Sequence, residues 1–353
     1  MKFNELQIAD VTQETTDCVS VAFEIPPELE SAYSFIPGQY LTLEHKVKGE
    51  PIRRSYSICS HPTEEMRVAI KQVPDGVFST FANSELKVGM KLKVATPEGN
   101  FIHQAEPGQS NRYVAFVAGS GITPVLSIIK AVLMDEPNSE FILFYGNRRT
   151  NNIIFKEEIE GLKNKYMDRL QVYHILSRAK MDAPILSGRI DPANCSKYFK
   201  YFIPNHEVDK VFLCGPYDMI MGMKEALLTE GVAADNIKFE LFFNPEAEEV
   251  GSQPKEKKVV DHERTIKITL DGLTANLKSN FDISILDMAI EAGMDLPYSC
   301  KGGVCATCKA KVLDGDVEMK TNFALEEEEV EAGYVLTCQA HAKTDFVHVN
   351  FDV

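Results

Sequence analysis

The 353-residue sequence has no apolar run near the roughly eighteen residues a membrane-spanning helix needs, which excludes a helical membrane protein. Its opening, Met1-Lys2-Phe3-Asn4-Glu5-Leu6, lacks the apolar stretch of a secretory signal, so a cytoplasmic location is expected. Basic residues are in deficit: 37 Lys and Arg stand against 52 Asp and Glu, for a formal charge of −15. Nucleic-acid binders present a basic face, and this balance offers none. Internal repeats, low-complexity segments, a P-loop, a Ser/His/Asp order and a histidine spacing suited to metal are all missing. What remains is a globular composition, 44% hydrophobic and 25% charged, in a chain long enough for two or three domains.

Eight cysteines are present, at 18, 59, 195, 214, 300, 305, 308 and 338. Four early scattered ones and four late clustered ones do not make a secreted disulfide framework; in a long chain without a signal, a late cluster points to metal or catalysis. The cluster reads Cys300-x4-Cys305-x2-Cys308, with Cys338 after 29 more residues. Thiolates are soft donors that suit zinc or iron–sulfur clusters. A zinc site usually shows two short C-x2-C knuckles. Here one half is x4 and the last cysteine stands alone, the spacing of plant-type [2Fe–2S] ferredoxins. Cys300, Cys305, Cys308 and Cys338 are the expected iron ligands, with Gly302 and Gly303 allowing the loop to turn its N–H groups toward the sulfurs.

Around that loop, Arg264–Leu270 and Thr274–Lys278 alternate about Asp271-Gly272, a hairpin signal, and Ile283–Ala292 has helical spacing. The order resembles the plant-type ferredoxin domain, an α+β β-grasp, over residues 263–353. This stretch holds eight basic and sixteen acidic residues, so −8 of the −15 lies in about a quarter of the chain. The run Glu326–Glu329 with Glu331 reads either as a solvated helix face or as a docking surface. His341 is expected to be structural.

Residues 1–108 show period-two runs at Phe3–Val11, Val19–Ile25, Tyr40–His45, Met66–Val73 and Lys91–Val94, the pattern of an antiparallel barrel or sandwich. Within them, Arg54-Ser55-Tyr56-Ser57 puts a guanidinium and an aromatic ring on one face of a strand. The guanidinium suits a phosphate and the ring a flat heterocycle. Gly76 to Ala82 reads as a glycine turn opening a short helix, whose free N–H groups suit a pyrophosphate. Together these resemble the flavin-binding barrel of the ferredoxin–NADP reductase superfamily. The resemblance implies Arg54 near the FAD phosphate, Tyr56 against the isoalloxazine, Ser57 near flavin N5, and Gly76 with Ser79 at the pyrophosphate. Some relatives hold FMN.

Residues 109–243 alternate strand and helix, as an α/β parallel sheet does. The apolar Tyr113–Ala118 runs into Gly119-Ser120-Gly121-Ile122-Thr123-Pro124 and then a helix-periodic stretch, the arrangement that seats a dinucleotide phosphate. The third glycine of that fingerprint is missing, and Pro124 stands there at a first helical position. G-x-G-x-T-P is what the nicotinamide-binding half of the same superfamily carries, with Gly119, Gly121, Thr123 and Pro124 at the dinucleotide. The resemblance further places Cys214, Gly215 and Pro216 beside the nicotinamide; Cys214 also reads as a small core residue at a strand end. Glu240 would lie near the hydride-transfer site and Phe242 would stack on the flavin. Ser177-Arg178 resembles a 2′-phosphate grip, and with Arg148 and Arg149 nearby it favours NADPH over NADH.

Asn244 to His262 is charged, contains Pro and Gly, and is expected to be a linker spanning about 20–25 Å root-mean-square. The expected architecture is thus a FAD barrel (1–108), a nicotinamide domain (109–243), the linker (244–262) and a [2Fe–2S] ferredoxin domain (263–353). Its order implies that two electrons arrive together as hydride and leave singly through the cluster to a partner. Ser57, Cys214 and Glu240 are the candidate catalytic residues. The order, with Arg54-Ser55-Tyr56-Ser57-Ile58-Cys59-Ser60, most resembles reductase subunits of phenylacetyl-CoA epoxidases, which implies a di-iron oxygenase partner. Other aromatic-ring oxygenases, hydroxylases and desaturases use the same architecture.

Overall fold

A computed structural model describes residues 2–47, 50–242 and 259–353. They form two compact units, one from Lys2 to Phe242 and one made of the described residues from Val259 onward. The expected linker lies outside the described residues as far as 258, and the first strand beyond it begins at Val259.

The first unit opens with six antiparallel strands: β1 (Phe3–Thr15), β2 (Cys18–Glu24), β3 (Tyr40–Val47), β4 (Glu50–Ser57), β5 (Met66–Lys71) and β6 (Lys91–Ala95). Their order is β4-β3-β6-β1-β2-β5, and an Ile58–Val68 bridge joins the two ends into a barrel. Period-two patterning explains the interior. Leu6 and Ile8 on β1, Leu41 and Leu43 on β3, and Leu92 and Val94 on β6 all point in and are almost fully buried. Helix α1 (Val77–Glu85) plugs one end with Phe78, Phe81 and Ala82.

The rest of this unit is a parallel sheet, ordered β11-β10-β7-β8-β9. Its strands are β7 (Arg112–Ala118), β8 (Glu140–Asn147), β9 (Leu170–Leu176), β10 (Lys210–Cys214) and β11 (Ile237–Glu240). Helices α2 (Ile122–Asp135), α3 (Lys156–Lys165), α4 (Cys195–Phe202) and α5 (Tyr217–Thr229) connect and cover them. The central strands are apolar throughout because both faces are covered. Helix α2 begins at Ile122, directly after a 3₁₀ turn over Gly119–Gly121, so Pro124 is the third helical residue rather than the first. The first-turn N–H groups have no intrahelical acceptor, so a proline there costs no hydrogen bond.

Barrel and sheet behave as one unit because their cores merge. Cys18, Cys59, Ala69 and Phe101 of the barrel half share a buried cluster with Val125, Ile128, Val132 and Phe212 of the sheet half. Cys18 and Cys59 are accordingly small core residues, and Cys195 is buried in α4.

The second unit is a five-stranded mixed sheet, ordered β13-β12-β18-β14-β16, with a two-stranded β15–β17 pair. The strands are β12 (Val259–Leu270), β13 (Leu273–Phe281), β14 (Lys309–Asp314), β15 (Val317–Met319), β16 (Tyr334–Leu336), β17 (Ala340–Ala342) and β18 (Phe346–Asn350). Asp271 (φ +52°) and Gly272 (φ +73°) make the two-residue hairpin turn, and the Asp352 carboxylate accepts both their N–H groups. Helix α6 (Ile285–Glu291), capped by Ser284, buries Ile285, Leu286, Met288 and Ala289 against Ile266, Ile268, Val347 and Val349. The glutamate run forms α7 (Glu327–Glu331), closed by a reciprocal Glu326–Glu329 capping box, while Lys309 pairs with Glu329 at 3.0 Å.

Candidate functional site

In the first unit, β4 and the parallel sheet meet at one corner. The Ser57 hydroxyl, at the end of β4, donates to Glu240 Oε2 at 3.4 Å, and Glu240 ends β11. Glu240 is paired in register with Cys214 on the neighbouring β10. Burial pushes the Glu240 carboxyl up to about 8 even though the Ser57 hydrogen bond pulls it down. Burial, reinforced by Glu240, keeps the Cys214 thiol protonated. Cys214 is fully buried, as a small core residue would be; its register with Glu240 is what makes it a candidate. Phe242, two residues past Glu240, is 41% exposed, so its ring is open to a partner.

The glycine loop packs directly on this corner. A Cβ at Gly121 would lie 2.2 Å from the Cys214 carbonyl oxygen, and one at Gly215 would lie 2.7 Å from Met219. Thr123 is buried, and its hydroxyl donates to the Ser120 carbonyl at 3.0 Å, which holds the turn. Pro216 caps α5 in extended conformation, directing Gly215 back toward Ala118. Gly119 takes φ +56°.

On the barrel, Arg54 is exposed while Tyr56 is partly buried, its ring 5.7 Å from Phe78 of α1. Arg54 donates to the Arg53 carbonyl at 2.7 Å. Gly76 opens α1, and a Cβ there would meet Ser79 and Val73 at 2.4 Å. Ser79 is buried, accepting from Val73 N–H at 3.2 Å and donating to the Gly76 carbonyl at 3.2 Å. Its hydroxyl therefore shapes the turn, and the backbone N–H groups of the first helical turn are the donors left for an anion.

Just past the ends of β8 and β9, Ser177 N–H donates to the Asn147 carbonyl at 2.9 Å and Arg178 N–H to the Arg148 carbonyl at 2.8 Å. This lock places Arg148, Arg149 and Arg178, all exposed, on adjoining loops after β8 and β9.

Two residues passed over in the sequence converge on the glycine loop. Lys71 Nζ, at the end of β5, lies 3.8 Å from where a Gly119 Cβ would sit. Tyr145, fully buried on β8, donates to the Gly119 carbonyl at 3.1 Å. No local pattern marks either residue, because each partner is supplied by a different element.

In the second unit the four late cysteines fall into two pairs. Cys305 Sγ stands 3.1 Å from Cys300 Sγ, and Cys308 hydrogen-bonds Cys338. The Cys305 thiol and then the N–H groups of Gly302, Val304 and Cys305 hold the Cys300 thiol below its usual range. Among the described residues no three His, Cys, Asp or Glu side chains converge on a single metal point. Two dithiol pairs suit a two-iron group in which each iron takes two protein sulfurs, and they do not suit a single tetrahedral zinc. Lys301 (φ +53°) and Gly303 (φ +76°) supply the left-handed turns of the loop, while Gly302 N–H points to Cys300 Sγ at 3.4 Å. His341 is buried, with its Nδ1 2.9 Å from Asp282 Oδ1.

Comparison with known proteins gives three matching families: an oxidoreductase FAD-binding domain over residues 5–103, an oxidoreductase NAD-binding domain over 116–225, and a 2Fe–2S iron–sulfur cluster binding domain over 268–343. The sequence is 42% identical to a component of 1,2-phenylacetyl-CoA epoxidase from Escherichia coli K12, across 99% of this chain and 98% of that one. It is 32% identical to the ferredoxin reductase component of 3-ketosteroid-9-alpha-monooxygenase from Rhodococcus rhodochrous, across 98% and 96%. Phthalate dioxygenase reductase, a modular structure for electron transfer from pyridine nucleotides to [2Fe–2S], superposes with a TM-score of 0.59 at 20% identity, over 99% and 98% of the two chains. That likeness fixes the fold: an antiparallel FAD domain, a parallel-sheet NAD domain and a ferredoxin domain.

Proposed function

Because the chain belongs to the family of FAD- and [2Fe–2S]-binding reductase components of oxygenases, we propose that it serves a di-iron phenylacetyl-CoA epoxidase, drawing electrons from NADPH. The partner assignment rests on the 42% identity, carried across essentially the whole of both chains. The NADPH assignment rests on one observation, the three exposed guanidiniums of Arg148, Arg149 and Arg178 on hydrogen-bonded loops. They suit a 2′-phosphate, whereas a free 2′-hydroxyl calls for a carboxylate acceptor. Four cysteines outside the late cluster are buried and unpaired, which suits a reducing cytoplasm. Among the described residues no helix is long and apolar enough to cross a membrane.

In this reading the flavin supplies the exchange between hydride and single electrons, and the protein supplies position. Arg54 and the N–H groups after Gly76 would hold the flavin phosphates, and Tyr56 would pack on the flavin. Gly119, Gly121 and Lys71 would receive the dinucleotide phosphates. Ser57, Cys214 and Glu240 would line the transfer corner. Cys300, Cys305, Cys308 and Cys338 would hold the cluster.

The reading is tested by reconstituting purified protein with the oxygenase subunits and phenylacetyl-CoA. Epoxide formation driven by NADPH, with kcat/KM above that for NADH, is the expected result. An NADH preference overturns the dinucleotide assignment. Oxygenase turnover with another substrate class, but none with phenylacetyl-CoA, overturns the partner.

A further inference from the structure

Barrel and sheet meet not only through apolar side chains but through four charges arranged in an alternating row. Lys130, on α2 of the sheet half, is 3% exposed and lies 2.5 Å from Glu64 of the barrel half and 2.5 Å from Glu158 of α3. Both oxygens of Glu158 accept from Arg67 Nη2 of β5, at 2.8 and 2.6 Å. Each half thus contributes one acid and one base, and two contacts, Glu64–Lys130 and Glu158–Arg67, cross between the halves. Arg67 also stacks over Phe155 at 5.1 Å. Glu64 further accepts from His61 N–H at 2.9 Å. Against the upward push of its burial, the hydrogen bond from Lys130 keeps the Glu64 carboxyl below its usual range.

Helix α2 makes two further contacts with the barrel half. Ser127 donates to the Ser60 carbonyl at 2.7 Å, and Asp135 faces His61 Nε2 at 2.9 Å. Ser60 lies three residues beyond Ser57, and the segment between them contains the buried Ile58 and Cys59. At its other end, α2 begins on the Gly119–Gly121 turn that packs against Cys214. Helix α2 is therefore one rigid rod, about 14 Å from Gly121 to Lys130, joining the dinucleotide turn to the segment that carries Ser57.

We propose that Lys130, through its contacts with Glu64 and Glu158, is a positioning residue that sets the register between the flavin and nicotinamide halves for hydride transfer. A buried amine between two carboxylates has a single low-energy place, since any slide of one half along the other separates both crossing pairs at once and leaves charge desolvated. Apolar packing alone does not fix a register so sharply, because one apolar neighbour replaces another at small cost. The proposal rests on the reading that hydride passes at the Ser57–Glu240 corner. Transfer falls steeply with small misplacement, by as much as about 10²-fold for 1 Å.

The test uses the flavin- and cluster-loaded protein with ferricyanide as acceptor, so that no oxygenase is needed. Lys130→Met is expected to retain flavin and cluster absorbance and to keep the KM for NADPH within about twofold. Its kcat should fall by about 10- to 100-fold, and the primary isotope effect with 4-deuterated NADPH should rise, because transfer itself becomes limiting. Lys130→Arg should recover most of the rate. Unchanged kcat and isotope effect in Lys130→Met, or a loss that tracks missing flavin, overturns the proposal. If Lys130→Met does not fold, Glu64→Gln decides: a smaller fall in kcat with a raised isotope effect supports the register role, and wild-type values refute it. A wild-type protein that reduces no ferricyanide with either dinucleotide refutes the underlying hydride reading instead.

Discussion

The four-cysteine loop and the proposed transfer corner are built in opposite ways. Cys300, Cys305 and Cys308 lie within one turn-rich segment, oriented by N–H groups of that same segment, and only Cys338 arrives from elsewhere. Ser57 and Glu240 are 183 residues apart, and they approach only because a barrel and a parallel sheet share a core. The chemistry accounts for the difference. Metal–thiolate bonds are strong and directional enough to organise a loop around them. Hydride transfer forms no bond to the protein, so geometry must come from rigid elements already in place.

If that contrast holds, damage at the loop should be local and total, and damage at the corner graded. Cys308→Ala should remove the cluster absorbance and abolish transfer to the oxygenase. Ferricyanide reduction through the flavin should persist, and the first unit should melt as before. Loss of flavin in that variant would break the comparison, since it would tie the two centres together. The largest effect in the molecule is expected here.

Glu240→Gln probes the corner. With the candidate proton-holding group gone, kcat should fall by about 10²-fold while flavin remains bound. The same substitution has a stability readout. Burial lifts the Glu240 carboxyl from 4.5 to about 8, so the native protein keeps a proton that the unfolded chain has released. The stabilisation this carries is full below about pH 4.5 and is lost as pH rises through about 8. Relative to the variant, which cannot titrate, wild-type flavin-free protein should lose melting temperature between about pH 5 and pH 8. A pH-independent difference would show that Glu240 is ionised and ordinary.

These two centres were unequally legible in the sequence for the same reason that they differ physically. The ferredoxin fold, its hairpin at Asp271-Gly272 and the four sulfurs are local patterns, and pattern reading reaches them. The barrel and the parallel sheet were legible too, because each strand's burial follows its own alternation or its own apolar run. What could not be read was contact between elements. Tyr145 reaches Gly119 across 26 positions, Lys71 approaches it from another strand, and Lys130 meets Glu64 across the barrel–sheet boundary. The shared core containing Cys18 and Phe101, which packs the two halves into one compact unit, is likewise a contact between elements that no local pattern marks. Pro124 shows the limit at a single residue: it lies in the expected turn, but as the third residue of its helix rather than the first.

A more modest effect belongs to dinucleotide choice, where neither extreme applies. Arg178 is placed by one backbone hydrogen bond to Arg148 and is otherwise exposed. Arg178→Ala should lower kcat/KM for NADPH by about 10- to 100-fold, the range of a charge-assisted hydrogen bond, and leave NADH within about twofold. Equal losses for both would place Arg178 at a group the two dinucleotides share.

The smallest effect is expected at the acidic helix α7, where structural and docking roles fall on different residues. Glu326 and Glu329 are committed, closing the capping box and pairing with Lys309. Glu327 and Glu328 are exposed on the same short helix, so they are the pair to change. A Glu327→Gln/Glu328→Gln variant should keep its stability within about 0.5 kcal/mol, as surface changes do. If the run is a docking face for a basic patch on the oxygenase, electron transfer at low salt should slow in this variant, and its dependence on ionic strength should flatten. Identical salt curves for variant and wild type would assign these glutamates to solvation. The cluster would then be reached through some other face of the ferredoxin unit, one that steers its partner by shape rather than by charge.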